Sequence, residues 1–433
     1  MGRGMASLTL VVAACLAVLA VACGGEEEGG GPPTGTPAAA ETPTPSEVEE
    51  VQGITPTQII LGSHFAQSGT WGAAYAPVLD GMRAYFKYVN EEEGGVCGRE
   101  IVFKVEDDQY LPSGAVEVVS KLLDRDKVFA MIGCLGTAAH AAVWDDLNEK
   151  GIPDLWIMSG AHMFGAEPEK YPWSIPGLPD YYVEGTIFGK YISENFPGKK
   201  VGILYQNDDY GQDELAGLKN GLDPEKNELV SEQSYEITAI SIRSQVTNLK
   251  NDGAEVVVGA CIPPGCAQLV READRLGWHP QYFLGYVNSD PMMFQYVGQP
   301  ELLEGAITLG ATKLSDWTDD PAVAEHHRIM NEYGTMPAGN FTMVGHAVGW
   351  GTVAALRNTC DDLTPQGLMN SIYDYYRDFE GEFSMPGLTS TLSPTDHLLA
   401  ESMMLLEARV EDGKGRWEFM SEETIYFEKL SEE

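Results

Sequence analysis

Residues 128–158 read VFAMIGCLGTAAHAAVWDDLNEKGIPDLWIM. The run 128–133 is apolar and short, which predicts a buried strand. Residues 138–148 carry apolar side chains at helical spacing, and 153–158 is again a short apolar run. Gly133, Gly136 and Thr137 fall in the loop between the first strand and the helix. Strand, helix and strand in this order form the unit that builds a parallel, doubly wound sheet. Ligands of such sheets bind at the carboxyl ends of the strands. Residues 134–139 are therefore a candidate contact loop.

The same alternation extends outward. Strands are predicted at 58–63 and 101–107. Helices are predicted at 73–92, with Leu79, Met82, Ala84, Phe86 and Val89 as its apolar positions, and at 112–125, with Pro112 at its start. The pattern restarts with strands at 200–205, 255–259 and 281–285 and helices at 212–221 and 266–276. Residues 308–312 are expected to cross back to the first lobe. Helices at 321–333 and 342–359 and a terminal hairpin within 398–427 follow. The fold class is thus α/β, with two doubly wound Rossmann-like lobes: 54–175 plus 313–385, and 176–312 plus 386–433. A chain of 433 residues suits two lobes, and 43% hydrophobic and 21% charged residues are ordinary for a globular protein. Strand-end loops at 65–72, 134–139, 158–162, 206–211 and 260–266 are the places to look for a site.

The first residues read as an export segment. Arg3 precedes an apolar stretch of signal-peptide length, and Ala20, Val21 and Ala22 precede Cys23. This is a lipobox-like cleavage site, with Ala20 where Leu is usual. It predicts a signal peptide over 1–23 and a lipid on Cys23. Residues 24–53 are rich in Gly, Pro, Thr and Glu, too poor in apolar side chains to fold, and read as a tether. No later stretch is apolar for long enough to span a bilayer. The expected location is extracytoplasmic, with the lipid as the only membrane attachment. Lys and Arg total 27 against 65 Asp and Glu, a net charge of −38. Such a surface repels phosphate backbones and argues against nucleic acid.

Several segments together carry a family resemblance. Residues 204–213 (LYQNDDYGQD), 86–90 (FKYVN) with 94–99 (GGVCGR), 128–137, 153–161 and 393–397 (SPTDH) resemble branched-chain amino-acid ABC transporter substrate-binding proteins. The resemblance spans nearly all of 54–427. It implies a periplasmic-binding-protein-like fold of type I, whose lobes are joined by three crossovers and close on a ligand. It implies a small-molecule ligand, a permease partner and a monomeric carrier. In that family a Ser or Thr hydroxyl and helix N-terminal N–H groups grip the ligand's carboxylate. Thr137 and Ala138 hold the matching positions, although a helix N-cap is the other reading of Thr137. Ser159 and Gly160 fall in a matching loop. Trp71 stands where an aromatic covers the ligand, or else is an ordinary buried Trp, and Tyr210 matches an aromatic of the second lobe. Cys261 replaces a polar aromatic. The family places an acid after the strand at 281–285 to meet an ammonium, and here Val287 or Asn288 stands there. Either Asp180 or Asp290 substitutes, or the ligand is an amide, urea, or aliphatic or aromatic acid.

Export permits disulfides. Cys261 and Cys266 are placed to close a small loop, and Cys97 with Cys360 is the second pairing. Cys134, at the opposite end of the sheet from Cys97, is left free. No metal pattern is evident, since Glu325-His326-His327 lacks ligand spacing, and no cofactor is called for. No nucleophile elbow or phosphate loop marks an enzyme. Asp107-Asp108 and Asp208-Asp209 read as acceptors at strand ends. The alternative to a carrier is a sensor module of the same fold that signals through a separate membrane protein.

Overall fold

The computed structural model describes residues 50–69, 72–377, 379–385, 388–399, 402–420 and 425–426. The export segment with Cys23, residues 24–49 of the tether, and Trp71 lie outside the described residues.

Five parallel strands form the first sheet in the order β2-β1-β3-β4-β5. They are β1 (Gln58–Phe65), β2 (Glu100–Asp107), β3 (Ala130–Ile132), β4 (Asp154–Ile157) and β5 (Ser174–Pro176). Helices α1 (Ala76–Glu92), α2 (Pro112–Asp124), α3 (Thr137–Glu149) and the short α4 (Met163–Ala166) connect them. The sheet is covered on both faces, so β3 and β4 are buried throughout and read in sequence as continuous apolar runs.

Helix α5 (Tyr181–Asn195) leads into the second sheet. Its path is β12-β11-β10-β9-β8-β6-β7, built from β6 (Lys200–Gln206), β7 (Glu228–Tyr235), β8 (Val256–Ala260), β9 (Gln281–Leu284), β10 (Ile307–Gly310), β11 (Ser402–Glu411) and β12 (Lys414–Phe419). The strands from β6 to β10 pair in parallel, while β10–β11 and β11–β12 are antiparallel. The last described strand, β13 (Ile425–Tyr426), pairs with β11. The intervening helices are α6 (Asp209–Gly221), α7 (Arg243–Asn251), α8 (Pro263–Arg275) and α9 (Met292–Val297).

Residues 308–310 stay in the second sheet, and the crossing begins later than expected. Ile307–Gly310 pairs with both β9 and β11, and the chain crosses only afterwards, where Thr312 bridges Ser384. Helices α10 (Pro321–Tyr333), α11 (Asn340–Asn358) and α12 (Pro365–Tyr375) follow. Helix α11 lies directly on α1. A Cβ at Gly81 would sit 2.0 Å from Thr342 O, and one at Gly345 1.9 Å from Val78 O, so glycine at both positions permits the approach. Helices α5 and α6 meet in the same way through Gly185, Gly189 and Gly217. Two disulfides are present, Cys97–Cys360 and Cys261–Cys266, and Cys134 is a buried free thiol. No helix of the described residues is long and apolar enough to cross a membrane.

Candidate functional site

The carboxyl ends of both sheets and the crossing segments enclose a cavity of about 240 Å³. The first lobe contributes Tyr75, Tyr110, the Leu135–Gly136–Thr137 loop and Met158. The second contributes Tyr210, Ile262, Tyr286 and Val287. The crossing segments add Ala311, Leu314, Phe379 and Phe383, and α11 adds Phe341 and Trp350. Apolar and aromatic side chains dominate this wall. Glu382 is its one ionisable acid, and no Lys, Arg or His lines it among the described residues.

Polar groups converge at one end. Gly136, with φ of 102°, turns β3 into α3 in a conformation that favours glycine. Thr137 then opens α3 without any side-chain cap on that helix. Its hydroxyl is not spent on capping. Instead Thr137 Oγ1 lies 2.7 Å from Ser159 Oγ, and Ser159 Oγ also accepts from Ala161 N at 3.2 Å. The first-turn N–H groups of α3 thus carry no side-chain cap, and the Thr137 hydroxyl stands beside them on the cavity wall.

Three tyrosines stand on the wall together. Tyr181 and Tyr210 have ring centroids 4.3 Å apart, and Tyr181 and Tyr286 5.7 Å. Tyr286 Oη donates to Pro179 O at 2.9 Å. Behind them Glu184 of α5 and Glu214 of α6 are fully buried side by side. Glu184 Oε1 accepts from Tyr286 N. Burial raises the Glu184 carboxyl to about 7. Burial, with the neighbouring Glu184 charge, pushes Glu214 well above the usual range. The two carboxyls hydrogen-bond to each other, and beyond that contact Glu184 Oε2, the Glu214 oxygens and Tyr210 Oη have no hydrogen-bond partner among the described residues.

The structure sorts the sequence candidates. Thr137 and Tyr210 are on the wall. Ser159 lies behind Thr137 as its hydrogen-bond partner. Gly160 backs the wall: its carbonyl accepts from Tyr181 N at 2.8 Å, and a Cβ there would meet Pro179 O at 1.9 Å. Ala138 follows Thr137 on α3 but does not line the cavity. Cys261 is taken up in its disulfide and packs in the second-lobe core, while the next residue, Ile262, reaches the wall. Asn288 turns inward, with Nδ2 donating to Cys261 O and Gly285 O at 2.9 Å each. Its neighbours Val287 and Ser289 line the cavity.

Neither candidate acid is free to meet an ammonium. Asp180 caps α5, accepting from Tyr182 N at 2.7 Å and Val183 N at 3.2 Å, and its other oxygen lies 2.6 Å from His162 Nδ1. Asp290 accepts from Met292 N and Phe341 N, each at 2.8 Å. Sequence reasoning missed Tyr75, Tyr286 and the aromatic wall of the crossing segments, which no local motif marks.

Two Rossmann-like lobes with a solute-sized cavity between their strand ends define the class of two-lobed extracytoplasmic binding folds. Residues 58–414 match the profile of the periplasmic binding proteins, and the chain belongs to that family. It is 27% identical over 259 residues to the "Amino acid binding protein" of Pseudomonas aeruginosa, covering 58% of this chain and 66% of that relative, just under two-thirds of its length. The fold is similar to a branched-chain amino acid ABC transporter from Thermus thermophilus with bound valine, with a TM-score of 0.76, 19% identity, and 87% and 99% of the two chains covered. It is also similar to a fatty acid ABC transporter substrate-binding protein from Thermomonospora curvata, with a TM-score of 0.73, 21% identity, and 88% and 96% covered. The family and these neighbours are solute-binding proteins, not enzymes.

Proposed function

We propose that this chain is the substrate-binding lipoprotein of an ABC importer. It is anchored by lipid on Cys23, held off the membrane by the tether, and passes its solute to a permease. The bound solute is small and mainly apolar, with at most one anionic end. The carrying observation is the chemistry of the cavity: an aromatic wall, an anion-accepting corner at Gly136–Thr137, and both nearby aspartates already used as caps. A zwitterionic amino acid would find only Glu382 on the wall to meet its ammonium, a carboxyl whose ionised form burial disfavours, and an ammonium buried without an ionised partner is costly. An aliphatic or aromatic monocarboxylate meets no such penalty. Solute touching both lobes favours the closed arrangement over the open one.

Aliphatic amino acids are the second reading, favoured by the names of the relatives. A thermal-shift screen separates the two, since binding to the native state alone raises the melting temperature. The untethered protein, residues 52–433, is screened against amino acids, amides, and aliphatic and aromatic acids. Stabilisation by acids such as benzoate or hexanoate, with no response to leucine or valine, is expected. A response to leucine, isoleucine or valine alone would overturn the monocarboxylate reading and leave the carrier reading standing.

A further inference from the structure

Beneath the Gly136–Thr137 loop, off the cavity wall, the first sheet buries a second group of side chains. His64 at the end of β1, Cys134 after β3 and His140 in α3 are all 0% exposed. One ligand atom from each lies within 4.8 Å of the others. Carboxylates hold the outer nitrogens: His64 Nδ1 is 2.6 Å from Asp108 Oδ2, and His140 Nε2 is 2.8 Å from Asp154 Oδ2. The inner nitrogens, His64 Nε2 and His140 Nδ1, face each other at 2.9 Å, with ring planes 18° apart.

A neutral imidazole carries one N–H, and an ionised carboxylate only accepts. When each ring gives its N–H to its own carboxylate, the two inner nitrogens meet lone pair to lone pair. The contact is then closed by one further proton, carried by a ring or by one of the carboxyls, or by a metal ion. Among the described residues the two aspartates have no lysine or arginine within ion-pair distance, only these histidines. A further observation favours the metal: Cys134 is the one described cysteine left as a thiol, and it stands beside the contact.

We propose that His64, Cys134 and His140 form a buried site for a thiophilic divalent metal ion of the zinc type, with Asp108 and Asp154 orienting the two imidazoles. Imidazole nitrogens and a thiolate are the donors such ions select. A carboxylate on the far nitrogen is how ligating histidines are usually held. The exchange balances: one divalent ion replaces that further proton and the proton of the thiol, so the cluster keeps its charge. Two nitrogens at about 2.0 Å from a tetrahedral ion stand about 3.3 Å apart, so the inner contact opens by only a few tenths of an ångström. Because all three donors are fully buried, the ion enters during folding. Once in place it ties β1, β3 and α3 together under the solute-binding corner. The assignment is independent of which solute the cavity takes.

The test uses the full chain, produced in medium supplemented with Zn2+ or with Co2+ and purified without chelator. Elemental analysis is expected to find about one equivalent of metal per chain, released to a colorimetric chelator only on unfolding. The Co2+ form is expected to show a thiolate-to-metal charge-transfer band that Cys134→Ser removes while the far-ultraviolet dichroism is unchanged. Folded wild-type protein holding less than about a tenth of an equivalent would overturn the proposal. So would a charge-transfer band that survives in Cys134→Ser. Should Cys134→Ser fail to fold, the wild-type stoichiometry and its release on unfolding decide the question.

Discussion

Asp108, His64, His140 and Asp154 form a chain of short contacts in the first lobe, joining β1, the β2–α2 loop, α3 and β4. Asp154 Oδ2 also accepts from Ser174 Oγ at 3.3 Å, and that hydroxyl in turn accepts from Trp144 Nε1 and Asn148 Nδ2. In the second lobe, Glu184 and Glu214 are buried as deeply but have no imidazole or other basic side chain beside them, only each other. Glu184 Oε1 meets a backbone N–H, and otherwise the two carboxyls hydrogen-bond only to each other. Depth of burial is the same in both places, and what differs is that the aspartates were buried with imidazole partners and the glutamates with each other. A paired network resists being broken, because removing one member strands the others. A carboxyl buried against another carboxyl instead gives up its charge, so its cost depends on pH.

The largest effect should come from breaking the paired side. His140→Ala leaves Asp154 without its imidazole partner and His64 without its inner contact. A loss of about 3–5 kcal/mol in unfolding free energy is expected, the range for stranding a buried charge such as the Asp154 carboxylate, measured by urea denaturation. A loss under about 1 kcal/mol would mean that the four groups are solvated and that the contrast with the glutamates is false.

The glutamate pair sharpens the contrast from the other side. Folding raises the Glu184 carboxyl from 4.5 to about 7, so the folded state holds more protons than the unfolded one between those values. Stability from this group is therefore full below about 4.5, falls as pH rises, and levels off above about 7. The whole change is on the order of 3 kcal/mol at about 1.4 kcal/mol per unit. Glu184→Gln keeps the shape and cannot ionise. The variant should flatten this decline and exceed the wild type at pH 8 by about 1–3 kcal/mol, read from melting curves between pH 5 and 8. A wild-type curve as flat as the variant's would show that the pair is not desolvated.

The contrast also explains what could be read from the sequence. Strand–helix alternation, the two lobes, and helix α10 were legible because each rests on local apolar periodicity. Strand β7, Glu228–Tyr235, was not, since it is an edge strand with mostly polar side chains and only Ser231 and Tyr235 buried. Helix α7 buries only Val246 and Leu249, too few to set a period. Helix α5 is hidden by the glycines that let α6 approach. Of the site, the Gly136–Thr137 corner was legible as a strand-to-helix loop, and Tyr210 through its family-like motif. His64 and His140 are separated by 76 residues, and Glu184 and Glu214 lie on different helices. Only the packing of whole elements brings each pair together, so neither pair leaves a local signature.

The smallest expected effect concerns the corner that the paired network supports. Thr137 contributes a hydroxyl to the cavity wall and no cap to α3, so Thr137→Ala should leave the unfolding midpoint nearly unchanged. Its hydroxyl bonds to Ser159, a partner that can turn to another acceptor. For a carboxylate ligand found in the screen, calorimetry should show affinity weakened about fivefold, the equivalent of one hydrogen bond near 1 kcal/mol. Binding weakened less than about threefold would make Thr137 a packing residue and leave the backbone N–H groups as the anion's only hold. Equal weakening for a neutral amide would show that the hydroxyl senses shape and not charge. Weakening confined to carboxylates would place the ligand's anionic end over the α3 N-terminus, above the histidine network and on the opposite wall from the glutamate pair. An anion on that side avoids the buried carboxyls of the second lobe, so the asymmetry between the two buried clusters would then orient the solute as well as set the stability of its two walls.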